Sequence, residues 1–381
     1  MGEVATLKQK RNIAARAGRW SATHRKTAIW GWLMFVFVAF ALGGAVGTKL
    51  LQQDQLGVGE SGRAAHTIQG AFKRGAEELV LVQSRTATAR EPRFRAVVAD
   101  VQQRLAAVPF AQDIQGPYAA GNGGQISQDG RSALIRFKLA GDDTQTQDRV
   151  GASLQTLSAA QAAHPGFTIG QSGDASVNKQ LNESISDDFK QALVTSLPIT
   201  LLILLLAFGA LVAASVPILL ALTAVIATIG LMGPISHLSA VDSSVNEVIL
   251  LIGLAVGVDY SMFYLRRERE EREAGRTEEA ALAAAAATSG HAVMISGLTV
   301  MIAMAGMYLA GASPFQSFAT GTILVVAVAV VGSLTVLPAT LAWLGDRIEK
   351  GGVPIIKNHP WNGGENTVWA RALRPVLRHP A

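Results

Sequence analysis

Residues 191–241 and 280–345 run for 51 and 66 positions without a single Asp, Glu, Lys or Arg. A helix in water needs a polar face, which runs of this kind do not supply. Each is far longer than the about 20 apolar residues that carry a helix across a hydrocarbon core of about 30 Å. Inside lipid every backbone N–H and C=O must be satisfied within the chain, so such runs fold as helices. Turn signals divide them. Gly209 and Pro217 split the first run into two spans, and Gly311-Ala-Ser-Pro314 splits the second. A further apolar stretch, 248–265, is interrupted by one acid, Asp259. The 22 uncharged residues between Lys26 and Lys49 add a span at the N-terminus. That run is too long for a typical signal-peptide core and no clear small-residue cleavage site follows, so it reads as a retained helix. Six spans are expected, at about 28–48, 191–212, 215–234, 246–265, 291–310 and 319–343.

The charges that remain are unevenly placed. The chain has 381 residues and a net charge of +5. Residues 1–26 hold seven basic groups and one acid, Glu3, while 49–190 holds fifteen of each sign. The excess therefore belongs to the tail, and nucleic acid is not an expected partner. Lys and Arg concentrate on the cytoplasmic side of membrane proteins. By that rule the tail is cytoplasmic, as are Arg266, Arg267, Arg269, Arg272 and Arg276 after span four and Arg347, Lys350 and Lys357 after span six. An even number of spans separates these clusters, so charge and span count agree. Both termini are expected in the cytoplasm, in a bacterial plasma (inner) membrane, with 49–190 extracytoplasmic.

That hydrophilic segment alternates. Residues 79–84 read as a strand. Phe94, Val97, Val98, Val101, Leu105 and Val108 form a helical stripe over 92–108, with Pro92 at a tolerated first turn. A weak strand is expected between the glycine-rich turn 121–124 and Asp129-Gly130. Ile135, Phe137 and Leu139 alternate with Arg136 and Lys138 in a half-buried strand. A second amphipathic helix, 144–163, and a last strand, 167–171, complete a β-α-β-β-α-β order, the ferredoxin-like split unit. From Asp174 a polar helix is expected to run straight into span two. The fold class is thus an α-helical polytopic membrane protein with an α+β ferredoxin-like extracytoplasmic domain. The units are a basic segment 1–27, span 28–48, the domain 49–190, a five-helix bundle 191–345, and a cytoplasmic segment 346–381.

The last segment echoes the first. Ala15-Arg-Ala-x-Arg19-x4-His24 recurs as Ala370-Arg-Ala-x-Arg374-x4-His379, at a constant offset of 355. A chance match between two basic segments is the bland account, but in both copies a basic segment leads toward the membrane, and that order supports a true repeat. Transporters are commonly built from repeats, and on that account 370–381 opens a second, absent copy.

Asp259 is the residue that carries chemistry. It stands about six residues, ~9 Å at helical rise, inside the end of span four. An Asp at a helix centre costs about 2.5–3.5 kcal/mol to insert, and intramembrane acids are functional by default. Burial is expected to favour its neutral form, and a carboxyl that gains and loses a proton in the membrane suits a proton-driven transporter. The alternative is a neutral Asp that merely bonds helices together. Tyr260 can donate to a carboxylate on a neighbouring helix, or simply pack. Ser296 in span five is a polar partner, or bonds its own helix. Gly253 and Gly257 form a small-xxx-small pattern that admits a close helix. His291, near the end of span five, reads as interfacial.

Other chemistries are excluded. With no Cys there is no disulfide scaffold, zinc ribbon or thiol nucleophile. Neither G-x-x-x-x-G-K-[ST], H-E-x-x-H nor G-x-S-x-G occurs. No enzyme activity, cofactor or metal is expected. The Arg/Glu run 266–279 reads as a solvated helix extension.

The stretch Gly-Leu-Ala-Val-Gly-Val-Asp-Tyr, 253–260, with Phe263 and the Arg/Glu-rich 266–273, resembles the MMPL family (mycobacterial membrane protein, large) of the resistance–nodulation–division superfamily. The segment 288–300 is similar to that family's fifth helix, and the layout of one span, large loop and five spans fits. The resemblance implies a proton relay at Asp259, Tyr260 and Ser296, with Gly253, Gly257 and Phe263 packing the helices around it. It also implies twelve spans, two porter domains, and a second Asp-Tyr pair that has no counterpart in these 381 residues. The expected function is the N-terminal half of a proton-driven exporter of lipids or other hydrophobic molecules. The partners would be protons, the cargo, and either a missing second half or a homodimer partner. The alternatives are a non-transporting accessory for protein translocation or assembly, similar to the two-part Sec proteins, and an inactive truncated half.

Overall fold

The computed structural model describes residues 13–52, 55–71 and 75–349. The chain enters through α1 (Ile13–Thr23), breaks for one residue at His24, and continues as α2 (Arg25–Val46). After α3 (Gly59–Ala71) comes a domain built from β1 (Ala76–Ser84), α4 (Pro92–Ala106), β2 (Ala111–Gln115), β3 (Ser132–Leu139), α5 (Asp143–Ala163) and β4 (Phe167–Gly173). The bundle follows: α6 (Asp174–Phe208), α7 (Leu211–Ser236), α8 (Val245–Glu273), α9 (Glu278–Ala287), α10 (Ser289–Ala305) and α11 (Ser313–Leu344).

Six helical segments among the described residues are long and apolar enough to cross a membrane: α2, α6, α7, α8, the run Glu278–Ala310, and α11. The turn residues act as their chemistry requires. Gly209 and Gly311 have φ of 64° and 72°, a left-handed conformation that glycine adopts without a Cβ penalty. Gly209 donates its N–H to Leu205 at 2.7 Å and ends α6. Pro217 does not break the chain; it lies inside α7. A helix without neighbours in lipid gains no hydrophobic drive toward its partner, so close backbone approach decides packing. Where α2 crosses α7, a Cβ on Gly43 would stand 2.4 Å from the Gly230 carbonyl oxygen, and one on Gly230 would stand 2.4 Å from that of Ala39. No side chain fits either position.

The sheet runs β2-β3-β1-β4, all antiparallel, with Val80 opposite Ile135 on one side and Gln171 on the other. Alternation sorts its faces. Val80, Val82, Ala133, Ile135, Phe137 and Leu139 point into a core closed by Phe94, Val98, Val101 and Leu105 of α4 and Val150, Leu157 and Ala160 of α5. The second strand lies earlier than the sequence suggested, at Ala111–Gln115. It is an edge strand with an irregular register, and Phe110 and Asp113 take φ of 70° and 53°. These two residues break the alternation that would have announced it. The glycine-rich stretch instead forms a short turn of 3-10 helix, Gly123–Gln125.

Candidate functional site

The rotation of α8 is set by its glycines. A Cβ on Gly257 would meet the Ala221 side chain at 2.8 Å, and one on Gly253 would meet Val225 and Val325 at 2.5 and 2.6 Å. Gly257 therefore presses α8 against α7, and Gly253 presses it against both α7 and α11. At about 100° per residue, a side chain two positions from Gly257 points to the opposite side. Asp259 does so, and it lies on the open surface of the bundle. Leu251 and Phe263, 63% and 57% exposed, share that stripe. The expectation that Asp259 is buried is thus corrected for this chain: the glycines turn it outward. The same glycines pack the helix on the side away from Asp259.

Tyr260, one residue on, is buried among Val293 of α10 and Val326 and Val330 of α11. Its hydroxyl is 3.6 Å from where a Cβ of Gly297 would be. Ser296, beside Gly297, is exposed on α10. Tyr260 and the Ser296 segment are therefore neighbours, whereas no hydrogen bond among the described residues joins Asp259 to either. The arrangement places a carboxyl on an open face of an apolar span, with the phenol of the next residue turned into the bundle.

Two charged features escaped the sequence. The run 266–279 is not simply solvated, because Glu268 and Glu271 are buried. Glu268 pairs with Arg272 at 2.5 Å and Glu271 with Arg276 at 2.8 Å; Arg267 also pairs with Glu271. The i,i+4 spacing was visible, but not the neighbour that buries it, α9, to which Tyr264 donates a hydrogen bond at Leu282 O (3.1 Å). Arg269 donates to the carbonyl of Phe208, the last residue of α6, at 2.6 Å. At the other end of α6, Glu78 of β1 is fully buried. It accepts from the Ala175 and Ser176 N–H groups at 2.8 and 3.0 Å and from Gln171 at 2.8 Å. Carboxylate at a helix N-terminus and cation at a C-terminus both match the helix dipole. The signal was an acid at an inward-facing strand position.

Six apolar spans and a βαββαβ domain inserted between the first two define a multi-pass membrane protein with an extramembrane α+β domain. The MMPL family model matches residues 50–381. The chain belongs to the MMPL family. It is 32% identical over 316 residues to the mycolic acid-containing lipids exporter MmpL11 of Mycolicibacterium smegmatis, covering 81% of this chain and 32% of the relative. It is 30% identical to a putative membrane protein of Streptomyces coelicolor over 94% of this chain and 50% of the relative. It thus spans about a third to a half of the length of these relatives. In fold it is similar to the hedgehog release protein Disp of the water bear Hypsibius dujardini, with a TM-score of 0.61, 12% identity, and coverage of 87% of this chain and 49% of that one.

Proposed function

We propose that the chain is one six-span unit of a proton-motive-force-driven exporter of lipids or other hydrophobic molecules. Asp259, Tyr260 and Ser296 form its half of a proton relay. The supporting observation is the outward position of Asp259. A carboxyl at mid-span facing acyl chains would cost several kcal/mol, so its stripe on α8 is covered in the working protein by a second unit bearing a matching pair. That unit is a second half of a longer polypeptide or another copy of this chain. Protonation of Asp259 changes the charge at this seam and so the packing of α8 and α10 against it. The domain of β1–β4, read as a ferredoxin-like porter domain, lies outside the cytoplasm, with the termini within, in the bacterial plasma membrane. Lipid export by the named MmpL11 relative supports the cargo class.

Asp259→Asn removes the titratable group at nearly constant volume. We expect it to insert and fold normally in the working assembly and to lose gradient-driven export. Export at an unchanged rate in the variant, or in the native protein after the proton gradient is collapsed, would refute the reading.

A further inference from the structure

Helix α1 is more than a charged leader. Ala14, Ala15, Gly18 and Ser21 are buried against the bundle. A Cβ on Gly18 would stand 2.6 Å from the Ala286 Cβ of α9, so the helix is seated in direct contact. At 100° per residue the opposite side carries two parallel strips. One contains Ile13 and Trp20, 66% and 50% exposed, with His24 stacked on Trp20 at 5.4 Å between ring centroids. The other contains Arg16 and Arg19, both exposed, with exposed Lys26 following at the start of α2.

Charge neutralisation separates these groups from four arginines of α8 and its following turn. Arg266, Arg267, Arg272 and Arg276 of α8 and its following turn are paired with Glu268, Glu270, Glu271 and Glu278. Arg25 donates to the Ala342 carbonyl near the C-terminal end of α11 at 2.8 Å. Among the described residues, no carboxylate pairs with Arg16, Arg19 or Lys26, and residues 13–26 contain no acid at all. A span begins at Arg25. An exposed tryptophan and isoleucine beside cations with no carboxylate partner among the described residues, at the mouth of a span, match the chemistry of a lipid interface: acyl chain beside phosphate.

We propose that the outer face of α1 is a binding surface for anionic phospholipid. The apolar strip contacts acyl chain while Arg16, Arg19 and Lys26 hold the phosphate-bearing headgroups. An acidic peptide would satisfy the cations and leave Ile13 and Trp20 wet. The assignment does not depend on the proton-relay reading.

The chain contains no Cys, so Thr23→Cys gives one labelling site, on the exposed side of α1. The full chain, labelled there and held in neutral detergent micelles, is titrated with fluorescent phosphatidylglycerol and with fluorescent phosphatidylcholine, and energy transfer is read. We expect saturable transfer from phosphatidylglycerol alone, weakened by salt. Arg16→Ala with Arg19→Ala is expected to weaken it by about fivefold per arginine, which corresponds to about 1 kcal/mol per charge. Arg16→Lys with Arg19→Lys should retain it, which guards against an effect of misfolding. Equal transfer from the two lipids overturns the proposal, and so does unchanged binding in the alanine pair or lost binding in the lysine pair. Displacement of phosphatidylglycerol by stoichiometric polyglutamate would reassign the face to an acidic protein.

Discussion

Asp100 of α4 illustrates how a single carboxylate ties distant segments of the extramembrane domain. It accepts from His164, just past α5, at 2.8 Å and from Arg104 at 2.7 Å. The His164 hydrogen bond, then that of Arg104, holds the Asp100 carboxyl below the usual carboxylate range. A depressed folded value means the stabilisation is present above the unfolded carboxylate's pKa of about 3.9 and is lost as pH falls through the folded value. Asp100→Asn should therefore lower stability by about 1 kcal/mol at neutral pH, since the group is partly exposed. Thermal unfolding of the domain followed downward from pH 7 should show a native acid-side loss that the variant lacks; parallel curves would contradict this. Arg104 was readable beside Asp100 from its i,i+4 spacing. His164, 64 positions away, was not, because only the fold brings the end of α5 to α4.

Helix α6 is held at both ends by charges that lie outside it. It has 35 residues, about 52 Å at helical rise, and runs from the sheet through span two without a break. Its continuity was legible, since a polar helical stretch leads directly into an apolar one. Its clamps were not. Glu78 takes the N-terminal N–H groups and Arg269 takes the C-terminal carbonyl. Removing a partner from a buried charge or its hydrogen bonds costs more than the bond is worth. Glu78→Ala should therefore raise amide exchange at Ala175 and Ser176 by tenfold or more, with Glu78→Gln intermediate because its amide oxygen still accepts. Arg269→Ala should affect the Phe208 end and leave Ala175 and Ser176 protected. Loss of protection at both ends from either substitution would show instead that α6 melts as one unit.

At the scale of the molecule, the proposed second unit covers the open stripe on α8. Leu251 and Phe263 flank Asp259 on it, and the native chain has no Cys. Leu251→Cys and Phe263→Cys, each alone, should therefore be protected from membrane-permeant thiol reagents in the working assembly and reactive in the isolated chain. Equal labelling in both would mean that nothing covers the stripe. The sequence by itself determined the six spans, the inserted domain and its element order, the family, and the place of Asp259 in the middle of the fourth span. These are readable because length, charge absence and periodicity are local properties that the solvent, lipid or water, enforces on each segment separately. Tertiary structure alone decided which way Asp259 points, because the rotation of α8 depends on how closely Gly253 and Gly257 approach Ala221, Val225 and Val325. It also decided that Glu78, Glu268 and Glu271 are buried and that Arg16 and Arg19 meet no carboxylate among the described residues. A charge is defined energetically by the groups that face it across space, and those groups lie on other helices and strands.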